Sequence, residues 1–193
     1  MTPAIATRDQ IISKAFELML QRGLHGFSYR DISEPLGIRN AAVHYHFPNK
    51  MDLVRSLVDE NHQALRKSTA EFMADGGPAR PQLEGLFAYT LKQCQCGRPI
   101  CMGGALAIDY DELPDEIKQA NDQFMKDSHH WLTRVLQTGR DQKEFTFPGE
   151  PKIKALSILA TIQGARQLAR ISGMGILEPV FKQIRLDLGI NGQ

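Results

Sequence analysis

Two groups of side chains in this sequence have the types and spacing to do chemistry. The first is Arg39, His44, His46 and Lys50, which fall within Pro35 to Met51, a stretch without a single acidic residue. Cationic and hydrogen-bonding groups gathered with no carboxylate among them suit a polyanion, although such a patch is also what ordinary solvated surface looks like. The second is Cys94, Cys96 and Cys101. Three clustered thiols make a poor disulfide framework. A structural zinc ion needs four ligands, so this trio would have to recruit His129 or His130. A thiol switch, in which one sulfur near Arg98 is oxidised or alkylated, and plain buried thiols are the other readings. No nucleophile, base and orienting group occur together, and there is no phosphate-binding glycine loop and no metal pair. Neither an enzyme nor a resident cofactor or metal is expected.

The elements that must position these groups belong to a globular chain. Its 193 residues are 42% hydrophobic, which is enough for a sizeable core. No uncharged apolar run reaches the roughly 20 residues that cross a bilayer, and the first residues carry no basic cluster, so a soluble cytoplasmic protein without a membrane partner is expected. The net charge of +1 divides unevenly. Residues 1–50 hold Arg8, Lys14, Arg22, Arg30, Arg39 and Lys50 against Asp9, Glu17, Asp31 and Glu34, giving +2 there and −1 for the remainder. So little net charge does not suit an architectural protein that coats DNA without regard to sequence.

Hydrophobic periodicity is helical throughout, and about nine helices are predicted. Ile11, Ile12, Ala15, Phe16, Met19 and Leu20 mark a first helix over about 8–22 that stops at Gly23. Ser28 with Asp31 three residues on resembles a capping box, opening a short second helix that Gly37 ends. A third starts near Asn40 and must end before Pro48. Asn49 caps a fourth that runs to about Ala74, and the break Asp75-Gly76-Gly77-Pro78 follows. Five more are expected near 81–96, 102–110, 114–141, 153–171 and 177–188. The chain thus reads as all-α, with a three-helix head over 1–50, a body over 51–193, and the helix 50–74 connecting them.

Within the head, Ser33 lies four positions before Gly37 and Val43 six after it. A small residue lets two helices approach, glycine permits the turn, and the later apolar residue packs back; this is the spacing a helix-turn-helix needs to present its second helix to the major groove. Gly23, Phe27-Ser28, Asp31-Ile32, Leu36-Gly37-Ile38, Val43, Tyr45-His46-Phe47, Asn49-Lys50 and Leu53 together resemble the amino-terminal signature of the TetR family of transcriptional regulators. The resemblance covers about a quarter of the chain, and "YHFPNKMDL" is its most specific run. It implies a homodimeric all-α repressor, bound to a palindromic operator in double-stranded DNA and released by a small-molecule effector. Pro35 inside the second helix, Arg39 where the family usually has serine or threonine, and Ala41 where glycine is frequent depart from the pattern. Proline removes a backbone donor, so a shortened or kinked helix is expected there.

Carried over residue by residue, the resemblance implies base-edge contacts from Arg30, Asn40, Ala41 and His44. Arginine can pair bidentately with guanine and asparagine with adenine, whereas alanine offers only a methyl. Ser28, Tyr29, Arg39, Tyr45, His46 and Lys50 suit phosphates. In the body, Phe87, Thr90, Leu91, Cys94, Cys101, Met102, Leu106, Tyr110, Phe124, Ser128, His129, Trp131 and Leu132 are candidate walls of a partly apolar ligand chamber, the same side chains serving equally as plain core. His129, in line with Met125, Leu132 and Leu136, is expected to line it in preference to His130. The eighth helix is apolar nearly all round. Ile153, Leu156, Ala160, Gly164, Leu168 and Ile171 are therefore expected at a dimer interface. The alternative functions are a redox or electrophile-sensing repressor that uses Cys101 and, after it, a small helical enzyme.

Overall fold

Apolar residues at three- and four-residue steps wind Thr7–Arg22 into α1, which buries Ile11, Ile12, Ala15 and Met19 and ends at Gly23. The structure, a computed structural model, describes residues 6–190. The outermost residues of the expected head, 1–5, and of the expected body, 191–193, lie outside the described residues. The further helices are α2 (Tyr29–Leu36), α3 (Asn40–His46), α4 (Lys50–Asp75), α5 (Ala79–Gln95), α6 (Met102–Ala107), α7 (Asp115–Asp141), α8 (Pro151–Ser172) and α9 (Leu177–Asp187), with 3-10 turns at Tyr110–Glu112 and Met174–Ile176. No strand occurs among the described residues. The fold is all-α, as the periodicity predicts. The sixth helix is shorter than expected, ending at Ala107, and a separate 3-10 turn takes up Tyr110.

Capping explains where α2 and α4 begin. The Asn49 amide donates to Asp52 Oδ2 at 3.2 Å while the Asp52 amide donates to Asn49 Oδ1 at 3.0 Å, a reciprocal pair that satisfies two orphan donors. At α2 the Ser28 amide and hydroxyl both donate to Asp31 Oδ2, at 2.8 and 2.6 Å. Pro35 does not break α2. It lies exposed in the last turn, and Gly37, in the left-handed region at φ 64°, closes the helix by donating to Ser33 and Glu34 carbonyls.

The chain packs as two compact units. One holds the chain up to Ala64 together with Met102–Phe124; the other holds Leu65–Cys101 and the chain from Met125 onward. The division expected at residue 50 is one of role, whereas this one is of packing, and it falls elsewhere because α4 and α7 each contribute to both units. In the first unit the fully buried side chains include Ile11 and Met19 of α1, Ile32 of α2, Val43 of α3 and Leu53 and Leu57 of α4. The second centres on Leu83, Phe87, Leu132, Leu136, Phe145, Ile158, Phe181 and Ile184. There Phe87 and Phe181 stack at 4.6 Å, and Arg185 pairs with both oxygens of Glu84 at 2.8 and 2.7 Å.

Candidate nucleic-acid interface

The spacing of small, glycine and apolar residues places α2 and α3 against each other. Ser33 is buried and donates to the Arg30 carbonyl, and Val43 is fully buried. The turn between the helices needs the positive φ of Gly37, a conformation that any side chain would strain. At the far end of α3, Pro48 follows Phe47, whose ring is buried.

One side chain ties the two helices together. The Tyr29 hydroxyl donates to the Phe47 carbonyl at 2.8 Å, and its ring meets His44 edge-on at 4.7 Å. Burial, reinforced by the negative charge of Asp52, pushes the phenol up to about 12. Its one hydroxyl proton is thus engaged by the Phe47 carbonyl. Tyr29 is core, because it shares the inward face of α2 with Ile32 and Ser33, three and four residues on.

The exposed residues of the two helices make a nearly continuous polar face. Arg39, Asn40, Ala41, His44 and Tyr45 are exposed, Tyr45 at 83%, and His46 is half-buried against its ring. No carboxylate stands on α3. Arg30 is exposed on α2, where its Nε donates to Glu34 Oε1 at 2.6 Å, a bond that raises the guanidinium above its ordinary pKa. Sequence reasoning omitted Glu34 from the site, although its place four residues after Arg30 on a helix was legible. Ser28 is exposed, with its hydroxyl proton in the Asp31 bond. That bond, with the Ser28 amide and then Arg22, holds the Asp31 carboxyl down to about 2. This contribution to α2 is complete above the ordinary value of 3.8 and is lost as the pH falls through about 2.

Lys50 is half-buried. Its Nζ donates to the carbonyls of Leu24 and Phe27, both at 2.5 Å, and lies 4.2 Å from the centre of the Phe27 ring. Burial lowers its pKa. Two of its three N–H groups thus hold the α1–α2 connection.

In the second unit the expected chamber residues are largely core. Phe87, Cys94, Trp131 and Leu132 are buried together with Leu91 packed against them, and Thr90 and Ser128 are buried. Met102, Leu106, Tyr110 and Phe124 belong to the first unit instead, where the Tyr110 hydroxyl donates to Asp122 and Phe124 meets His62 edge-on. A groove of about 270 Å³ does open in the second unit, with Leu65, Arg66, Thr69, Met73, His130 and Trp131 among its walls. His130 lines this groove, whereas the His129 Nε2 lies 2.8 Å from the Lys152 carbonyl. Cys101 is half-buried and accepts from Gln163 Nε2 at 3.3 Å; no metal-ligating cluster occurs among the described residues. The six residues Ile153, Leu156, Ala160, Gly164, Leu168 and Ile171 are all exposed on one stripe of α8, and a Cβ on Gly164 would meet nothing.

The chain is similar to known proteins. The family model described as bacterial regulatory proteins, tetR family, matches residues 11–57. The HTH-type transcriptional regulator TtgR of Pseudomonas putida is 39% identical over 165 residues, covering 82% of this chain and 77% of that protein. The HTH-type transcriptional repressor NemR of Escherichia coli is 25% identical over 169 residues, covering 86% of this chain and 85% of that one. Among solved structures, a TetR-family transcriptional regulator from Agrobacterium tumefaciens superposes with a TM-score of 0.80 at 32% identity, covering 92% of this chain and 96% of that one.

The Tyr29 bond generates a test of the local geometry. Tyr29→Phe leaves the Phe47 carbonyl without its partner, and a loss of about 1–3 kcal/mol in unfolding free energy is expected from denaturant titration. An unaltered unfolding curve would show that packing alone orients α3.

Proposed function

The chain belongs to the TetR family and is a DNA-binding transcriptional regulator, and on that premise we propose that it is a repressor, holding a two-fold symmetric operator as a homodimer and releasing it when a small molecule enters its body. The observation that carries this reading is the exposed, carboxylate-free face of α3, held by the buried Val43 and Phe47. Arg30 and Asn40 supply the two side chains that pair bidentately with guanine and adenine, Ala41 offers a methyl contact and His44 a ring nitrogen. Arg39, Tyr45, His46, the third N–H of Lys50 and, once its Asp31 bond opens, Ser28 take phosphates, which position the protein without reading sequence.

The dimer reading is supported by the α8 stripe. Ile153 is 61% exposed, Leu156 55%, Leu168 56% and Ile171 81%. Four large apolar side chains aligned on one helix are costly to leave in water. Ala160 and Gly164 between them allow a second backbone to come close. The effector reading is supported by the groove at Trp131, whose walls are mostly apolar with a few polar tips. An operator-binding protein works in the cytoplasm, and no helix among the described residues is long and apolar enough to cross a membrane.

A second reading of the release step is favoured by the surroundings of Cys101. Gln163 donates to its sulfur, and the buried Arg166 guanidinium donates to the carbonyls of Arg98, Pro99 and Ile100 just before it. Burial pushes the Cys94 thiol up, with Arg166 opposing, so Cys101 is the attacking group of this reading and the exposed Cys96 its resolving partner.

Selection of bound duplexes from a random pool by the full chain should enrich palindromes, and binding should weaken steeply with salt as cations leave the phosphates. Leu168→Glu should leave monomers in sedimentation and weaken binding to the enriched duplex by at least about tenfold. Enrichment of nothing symmetric would overturn the reading. For the release step, DNA release by mild peroxide or a quinone should be lost in Cys101→Ser if the thiol acts; equal release in the variant leaves the groove as the receptor.

A further inference from the structure

Arg30 reaches the groove side of α2 already paired. Its Nε donates to Glu34 Oε1 at 2.6 Å, and the two side chains are 79% and 62% exposed. Exposed pairs at this spacing contribute little to helix stability. Folding therefore gives no strong reason for a carboxylate here, at the border of the acid-free stretch from Pro35 to Met51. On a surface that must approach a polyanion, Glu34 is an electrostatic cost.

We infer that Glu34 is a positioning residue for base reading, which holds the Arg30 guanidinium by its Nε edge so that the Nη1 and Nη2 pair points end-on at a guanine. The inference rests on the proposed role of Arg30 as a base contact. An unrestrained arginine can make either of two contacts, with a base or with a phosphate, and the phosphate carries no sequence information. With Nε held, the end-on fork is what remains for the O6 and N7 acceptors of guanine. Reaching sideways to a phosphate would break the pair and bring the Glu34 carboxylate beside the DNA backbone. The same charge that orients the arginine thus penalises the contact that would blur its reading.

The test uses the full-length dimer, a duplex enriched from a random pool, its single-base variants, and a non-operator duplex of equal length. Arg30→Ala first identifies the base pair that Arg30 reads. Glu34→Ala should reduce discrimination at that base pair by about tenfold, while tightening binding to the non-operator duplex about 3- to 10-fold. The slope of log affinity against log salt on the non-operator duplex should steepen by roughly 0.9 for each subunit, because each released arginine gains a phosphate. Glu34→Gln keeps an acceptor for Nε and should retain most of the discrimination, which a merely helix-stabilising role would not predict. In Arg30→Ala, adding Glu34→Ala should leave base preference unchanged. If Arg30→Ala relaxes one position and Glu34→Ala leaves that preference and the salt slope intact, the inference is overturned while the base-contact role of Arg30 stands. If Arg30→Ala relaxes no position, that role fails and Glu34 has nothing to orient.

Discussion

A helix of seven residues has no stability of its own in water, since isolated helices shorter than about 12 residues are marginal even in favourable sequences. The α3 helix, Asn40–His46, is that short, and no side chain caps its start. It is held by one buried side chain of its own and by its neighbours. Gly37 turns the chain into it, Val43 buries its inner side, and the Tyr29 hydroxyl holds the carbonyl of Phe47 at its far end. Lys50 in turn fixes the connection that delivers Tyr29, through the carbonyls of Leu24 and Phe27. The functional face is polar because the anchoring was moved to the other side of the same short segment.

That division explains what was legible in the sequence. Helix starts and stops follow local rules, so the Ser28–Asp31 and Asn49–Asp52 caps and the Gly23 and Gly37 stops lie close to where patterning puts them. Orientation within a helix was legible too, but only when taken over motif analogy. Tyr29 shares the inward phase of Ile32 and Ser33, which a motif match does not register. Long-range packing was not legible. Nothing near His129 and His130 in sequence tells which of them Leu65, Arg66 and Met73 of α4 will face. Core and chamber walls likewise use the same side chains at the same spacing, so Phe87 and Leu132 could not be told from lining residues before the packing was known.

The apolar surface of α8 has the opposite character. Ile153 to Ile171 spans about 27 Å along the helix axis at 1.5 Å per residue, and its large side chains are exposed while the residues behind them, Ala155, Ile158, Ile162 and Ala165, are buried. The single chain buries one side of this helix and leaves the other exposed. Gly164 shows the same division, since nothing that packs on it among the described residues lies within 4 Å of the position a Cβ would take.

The central claim is that α3, held from behind by Tyr29, Val43 and Phe47, is the surface that enters DNA. A crystal structure of the full-length dimer on a duplex enriched from a random pool tests it most directly. The account predicts Asn40, Ala41 and His44 against base edges in the major groove, with the Tyr29 hydroxyl still on the Phe47 carbonyl. A complex in which these three side chains face solvent, or in which Tyr29 has left Phe47 to contact a phosphate, would contradict it.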